Sequence, residues 1–228
     1  MNPRVVALIP CYNEDARISE VVRRTRPHVD AVVVIDDGSP DRTAETAKKA
    51  GAIVLRHEVN QGKGAAIRTG MQYAVEKGFD LMVFLDGDGQ HNPDQIRKFV
   101  EMQRATQASI VVGNRMGDVE KMPLIRKWTN QFTSWMISRL ATQPVPDSQC
   151  GYRLLHRSVV PDIHIETQNF DTESEMLIQA GRAGHRIVSV VVDTIYEGQE
   201  KASKIRPVRD TIRFFRLAWR NRRNKVQS

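Results

Sequence analysis

Cysteine is nearly absent from this chain. Cys11 and Cys150 are the only two in 228 residues, far apart and without metal-ligand spacing, which argues against a thiolate metal site and a disulfide scaffold. Two buried thiols in a reducing, cytoplasmic setting are expected instead. Long apolar runs are missing as well. The first, Val5 to Ile9, stops at Pro10, too short for a signal peptide's apolar region, and no segment approaches the roughly 20 apolar residues that a membrane span needs. Internal repeats, low-complexity tracts and Gly/Ser linkers are also lacking, so one domain with a C-terminal appendage is expected.

What is present suffices for a sizeable core: 40% of the residues are hydrophobic. Lys and Arg outnumber Asp and Glu by 34 to 27, a formal charge of +7 that favours anionic partners such as nucleotides, nucleic acids or lipid surfaces without choosing among them.

Short β-branched runs recur along the chain, VVALI at 5–9, AVVVI at 31–35, AIVL at 52–55, LMVFL at 81–85, SIVV at 109–112 and IVSVVV at 187–192. Each reads as a strand buried on both faces. Helical spacing fills 15–26, 41–50, 65–77 and 94–105, and the alternation predicts an α/β fold with a mainly parallel sheet. Between about 116 and 170 the alternation fades, and Trp128, Phe132, Trp135 and Met136 at helical spacing read as core.

Ligands of an open parallel sheet bind beyond the carboxyl ends of its strands. Four predicted strands end there in polar clusters: Pro10-Cys11-Tyr12-Asn13-Glu14, Asp36-Asp37-Gly38-Ser39, Asp86-Gly87-Asp88-Gly89-Gln90 and Gly113-Asn114-Arg115. Any one alone reads equally as capping or turn chemistry. The third also fails as a calcium loop, because His91 stands where the glycine belongs and Arg97 where the last acid belongs. What remains is a tight turn offering two carboxylates and an amide oxygen, hard ligands suited to Mg²⁺ or Mn²⁺, or else a capped turn before Pro93. Asn60-Gln61-Gly62-Lys63-Gly64 precedes a helical pattern and suits a phosphate or a simple turn; it matches neither a Walker A loop nor a full dinucleotide fingerprint.

Taken in order, IPCYNE at 9–14, VIDDGSPDRT at 34–43, NQGKGAAIRTG at 60–70, LDGDGQHNP at 85–93, GNR at 113–115 and DSQCGYRL at 147–154 resemble the family 2 glycosyltransferases. Within that family the resemblance is strongest to dolichyl-phosphate mannosyltransferases and bacterial polyprenyl-phosphate glycosyltransferases. It implies the glycosyltransferase A fold, a Rossmann-like, mostly parallel sheet flanked by helices, over a catalytic domain at 1–205 with a basic amphipathic tail at 206–228. It also implies roles. Pro10, Tyr12, Glu14 and Asp37 would hold the base and ribose of a nucleoside diphosphate sugar, a GDP- or UDP-sugar. Asp86, Asp88 and Gln90, the DXD motif, would bind Mg²⁺ or Mn²⁺, with Lys63 and Arg115 near the diphosphate. The acidic segment 170–176 would follow the acceptor region, one of its acids serving structure or contact. Family members often carry Arg-X-X-Gly-X-Ser-Lys late in the domain. Here Gly198 to Lys204 keeps only Ser203 and Lys204, and the missing arginine leaves the sugar and base open, while the surrounding Thr194 to Glu197 and Arg206 to Asp210 look more like the bacterial branch.

The implied reaction inverts the anomeric carbon while the metal and Arg115 stabilise the leaving diphosphate. A phosphate acceptor, with a second pKa near 6, is substantially anionic already and needs cations more than a base. Arg153, Lys201, Ser203 and Lys204 are the candidate cradle for a lipid-linked phosphate, and Asp147 is the candidate base or orienting acid. In the tail, Val208, Ile212, Phe215 and Trp219 share one helical face and Arg209, Arg213, Arg216 and Arg220 another, a pattern suited to the cytoplasmic surface of a membrane, to docking on the domain, or to association of copies. A soluble acceptor, nucleotidyl transfer and a nucleic-acid-binding tail are the competing readings. The last two lack, respectively, a triphosphate loop at the first strand and a recognised nucleic-acid fold, so no nucleic-acid partner is expected.

Overall fold

The structure, a computed structural model, describes residues 2–115, 124–167 and 172–193. Lys201, Ser203, Lys204 and the tail at 206–228 lie outside the described residues, as do Phe170, Asp171 and the side chain of Trp128.

The β-branched runs become strands β1 (Val5–Cys11), β2 (Ala31–Asp36), β3 (Ile53–Arg56), β4 (Leu81–Phe84), β5 (Ile110–Asn114) and β7 (Ile187–Val191), with β6 at Arg153–His156. Among the described residues these form one seven-stranded sheet in the order β3-β2-β1-β4-β6-β5-β7. All pairings are parallel except those of β6, which runs antiparallel between β4 and β5. Every residue of β1 and β4 is buried, as their uninterrupted apolar sequence requires of central strands covered on both faces.

Helices α1 (Asp15–Thr25), α2 (Thr43–Lys49), α3 (Lys63–Glu76) and α4 (Ile96–Thr106) supply the crossovers, followed by α5 (Leu124–Leu140) and α6 (Thr172–Arg182). In α1 the buried Ile18, Val21, Val22 and Thr25 follow the three-and-four spacing of a single apolar stripe. Among the described residues, no helix is long and apolar enough to cross a membrane. Both cysteines are free and buried.

Three expectations need correction. First, β3 and β7 are not buried on both faces; they close the two ends of the sheet, where Ile53 is 41% and Val191 56% exposed. Second, Phe132 and Trp135 on α5 are not core. Phe132 and Trp135 are 51% and 56% exposed and stack at 6.1 Å, whereas Ser134 and Ile137 are buried. Small and aliphatic residues such as Ser134 and Ile137 turn inward, on a helix that packs against α6, and the same helical spacing sends Phe132 and Trp135 outward. Met136 does pack against the core. Third, β6 lies inside the stretch where strand alternation faded, hidden because it begins with a charged residue and ends with His156.

Candidate active site

The chain builds β1, β2 and β3 outward and then returns to place β4 on the other side of β1. That reversal opens a crevice beyond the carboxyl ends of β1 and β4. Pro10 to Glu14 and Asp86 to Gln90 therefore flank one opening. The loop after β1 is knitted to the loop after β2: the backbone N–H groups of Asn13 and Glu14 donate to Ser39 Oγ at 3.0 Å and Thr43 Oγ1 at 2.9 Å. Thr46 Oγ1 also donates to Asp15 Oδ1. Tyr12, 42% exposed, is presented on this fixed rim.

Asp37 is turned to organising work. Its carboxylate accepts the N–H groups of Gln61 at 2.9 Å and Gly62 at 2.7 Å, and meets His57 Nδ1 at 2.7 Å. The glycine-rich segment is thereby clamped to the end of β2. Its glycines answer packing demands: Gly62 has φ +91°, and a Cβ on Gly64 would stand 2.0 Å from the Thr167 carbonyl oxygen. A side chain in either place would move the start of α3 and with it Lys63.

The Asp86 to Gln90 turn is tightly built. Asp86 N–H donates to His91 Nδ1 at 3.1 Å, and Gln90 N–H donates to Asp88 Oδ1 at 3.0 Å. His91 stacks on Tyr152 with ring centroids 5.0 Å apart, and burial lowers its pKa. Gly151 leaves the space that the Asp86 carboxylate fills, since a Cβ there would lie 2.7 Å from Oδ2. Lys63 Nζ lies 2.7 Å from Asp86 Oδ1 and 2.7 Å from Glu173 Oε1. Burial alone would raise the Asp86 pKa, yet Lys63 and then His91 hold it well below the usual carboxylate range. Burial would likewise lower Lys63, but the carboxylates of Asp86 and Glu173 raise it.

Arg115, at the end of β5, forms a two-point ion pair with fully buried Asp147 and is close enough to Asp86 to depress its pKa further. Arg153 is 2% exposed rather than on the rim. Nε and Nη2 donate to the Cys150 carbonyl at 3.2 and 2.5 Å, and Nη1 to the Glu173 carbonyl at 3.0 Å. It braces the 150–153 turn against α6. Pro10, Lys63, Asp86, Gly151, Arg153 and Glu173 line one cavity. Predicted residues from four separate segments thus meet in one place. Glu175 is structural: Oε2 accepts the N–H groups of Glu166 and Thr167, both at 3.1 Å.

Three participants escaped the sequence reading: Glu173 as the partner of Lys63, Gly151 as the wall behind Asp86, and His57 as the clamp on Asp37. Glu173 and Gly151 lay in segments already singled out, whereas His57 offered no signal before folding.

Among the described residues, no three His, Cys, Asp or Glu side chains form an all-protein metal cage. Asp86 and Asp88 nevertheless fit a divalent cation that keeps open positions. They are hard oxygen donors on a tight turn, and Asp86 already attracts a cationic group.

A mostly parallel sheet carrying paired carboxylates and basic residues at its reversal point fits a glycosyltransferase of the A fold. The chain belongs to glycosyl transferase family 2, whose model matches residues 6–163. It is 32% identical over 215 residues to the UDP-N-acetylglucosamine–dolichyl-phosphate N-acetylglucosaminyltransferase of Methanococcus voltae, covering 84% of this chain and 86% of that one. It is 30% identical over 215 residues to the undecaprenyl-phosphate mannosyltransferase of Micrococcus luteus, covering 89% and 87%. The fold matches glucosyl-3-phosphoglycerate synthase from Mycobacterium tuberculosis, crystallised with Mn²⁺, UDP-glucose and phosphoglyceric acid, at a TM-score of 0.72 and 20% identity over 94% of this chain and 79% of that one.

Proposed function

We propose that this glycosyltransferase moves a sugar from a nucleoside diphosphate donor to a polyprenyl phosphate at a membrane surface, with inversion at the anomeric carbon. The observation that carries this reading is the meeting of Asp86 with Lys63 and Arg115 at the reversal point of the sheet, next to Asp88. Two relatives that differ in the sugar they are named for share a polyprenyl phosphate in their names, which supports the acceptor class over any particular sugar.

In this reading Pro10, Tyr12 and Glu14 receive the base and ribose of a UDP- or GDP-sugar, and Asp37 shapes that pocket through Gln61 and Gly62. Asp86, Asp88 and Gln90 hold Mg²⁺ or Mn²⁺, which compensates charge on the diphosphate when bound. Arg115 stabilises the same leaving group, and Asp147 orients Arg115. The acceptor phosphate needs no strong base because it is already anionic. Arg153 contributes its charge from the cavity wall, and Lys201, Ser203 and Lys204 complete the cradle for the acceptor phosphate. The segment 206–228 holds the catalytic domain, residues 1–205, against the cytoplasmic face of the membrane.

The test is transfer of label from a panel of nucleoside diphosphate sugars to undecaprenyl phosphate in vesicles, with Mg²⁺ or Mn²⁺. Lipid-extractable product with inverted anomeric configuration by NMR is expected. Transfer only to a soluble glycan or small hydroxylated acceptor would replace this reading.

A further inference from the structure

Lys63 stands between two carboxylates that are unequally satisfied. Its Nζ lies 2.7 Å from both Asp86 Oδ1 and Glu173 Oε1. Glu173 is 4% exposed, and its second oxygen, Oε2, has no hydrogen-bond partner among the described residues. Arg153 lies against the same segment, but its donors go to the carbonyls of Cys150 and of Glu173 itself. A buried carboxylate with an unused oxygen is costly, so this arrangement holds an acceptor in reserve.

A divalent cation at Asp86 needs the carboxylate that the ammonium now holds. Two cations on one carboxylate oxygen repel, and a lysine on a four-carbon stem can relocate where a rigid group cannot. Lys63 is rooted in the first turn of α3, directly after Gly62 and within reach of Glu173.

We infer that Lys63 is the resident counter-ion of Asp86, and that Glu173 is the positioning residue that takes over Lys63 when a divalent cation occupies the site. The inference rests on the metal and donor reading above. Lys63 then leaves Asp86, is retained by Glu173, and turns toward the donor diphosphate. Metal and nucleotide binding become coupled: the cation alone must displace Lys63, and the nucleotide gives the displaced ammonium a partner.

The experiment is an electron paramagnetic resonance titration of Mn²⁺ with the full chain, alone and with UDP or GDP. Wild type should bind Mn²⁺ weakly alone and more tightly with the nucleoside diphosphate. Lys63→Met should bind Mn²⁺ alone about tenfold more tightly and lose most of the nucleotide enhancement. Glu173→Gln should weaken Mn²⁺ binding when Lys63 is present and change it little in the Lys63→Met background. A mere loss of negative charge would act equally in both backgrounds. Lys63→Gln carries the same comparison if Lys63→Met fails to fold by circular dichroism. Unchanged or weaker Mn²⁺ binding without Lys63, or equal effects of Glu173→Gln in the two backgrounds, overturns the inference. Wild type that binds no Mn²⁺ with either nucleotide overturns the underlying metal reading instead.

Discussion

Arg115 and Asp147 are joined at two side-chain points, Nε to Oδ2 at 2.8 Å and Nη2 to Oδ1 at 3.0 Å, and the Arg115 backbone N–H adds a third bond to Oδ2 at 3.2 Å. Asp147 is fully buried, whereas the Arg115 side chain keeps 25% exposure toward the crevice. Protonating Asp147 would break this pair, so the geometry suits an acid that aims a guanidinium better than one that collects protons.

Asp147→Asn should therefore lower turnover by about 10²-fold and cost about 2–4 kcal/mol of stability, because it removes the buried charge that aims Arg115. Adding Arg115→Met should cost little more, since the two act as a unit. Steady-state kinetics and urea melts on both variants check this. Independent, multiplying losses of activity would return Asp147 to the role of a base.

Gly64→Ala tests whether the glycine-rich segment is a packing device. The new Cβ would meet the Thr167 carbonyl oxygen at 2.0 Å, so a loss of about 3 kcal/mol or more is expected together with weaker donor binding. Gly184→Ala is the control. Its φ is +83° and nothing lies within 4 Å of the added carbon, so only backbone strain of about 1 kcal/mol is expected, with donor affinity unchanged. Denaturant melts and a nucleotide titration compare the two.

These packing relations mark where the sequence stopped being legible. Strand spans and the reversal-point clusters follow from composition and period, and β1, β2 and β4 appear where VVALI, AVVVI and LMVFL place them. Pairing across long separations does not follow. Nothing in the local sequence says that Asp37 holds Gln61 and Gly62, that Lys63 meets Glu173, or that the strand Arg153–His156 slips antiparallel between β4 and β5. Arg153 reads in the sequence as one of a group of phosphate-binding cations, and nothing local says that it is buried with its donors on backbone carbonyls.

Phe132→Ser and Trp135→Ser test the corrected reading of α5. Both side chains are more than half exposed, with the Arg139 guanidinium 5.7 Å from the Trp135 ring centroid. Each substitution should change stability by less than about 1 kcal/mol, against the 3–5 kcal/mol expected for a core aromatic. Thermal melts decide, and a core-sized loss would restore the original assignment.

The thiols predict an alkaline limb. Burial, followed by the nearby carboxylates, pushes Cys11 far up, and burial chiefly pushes Cys150 up to about 11. A thiol whose folded pKa is raised binds more protons folded than unfolded between the two values. Stability should therefore be unaffected by the thiols below the unfolded value of about 8.5 and fall from there as pH rises toward 11. Cys11→Ala/Cys150→Ala should flatten that limb in melts run across pH. The native wild type should also resist thiol reagents at pH 8 until it unfolds.

The most direct test of the account is Asp88→Ala, assayed for transfer from a nucleoside diphosphate sugar to polyprenyl phosphate with Mg²⁺ or Mn²⁺, with circular dichroism as a check on the fold. Asp88 is part of a solvent-reaching turn rather than the core, so its loss should leave the fold intact while transfer falls by at least about 10³-fold. A folded Asp88→Ala protein with wild-type transfer would contradict the account.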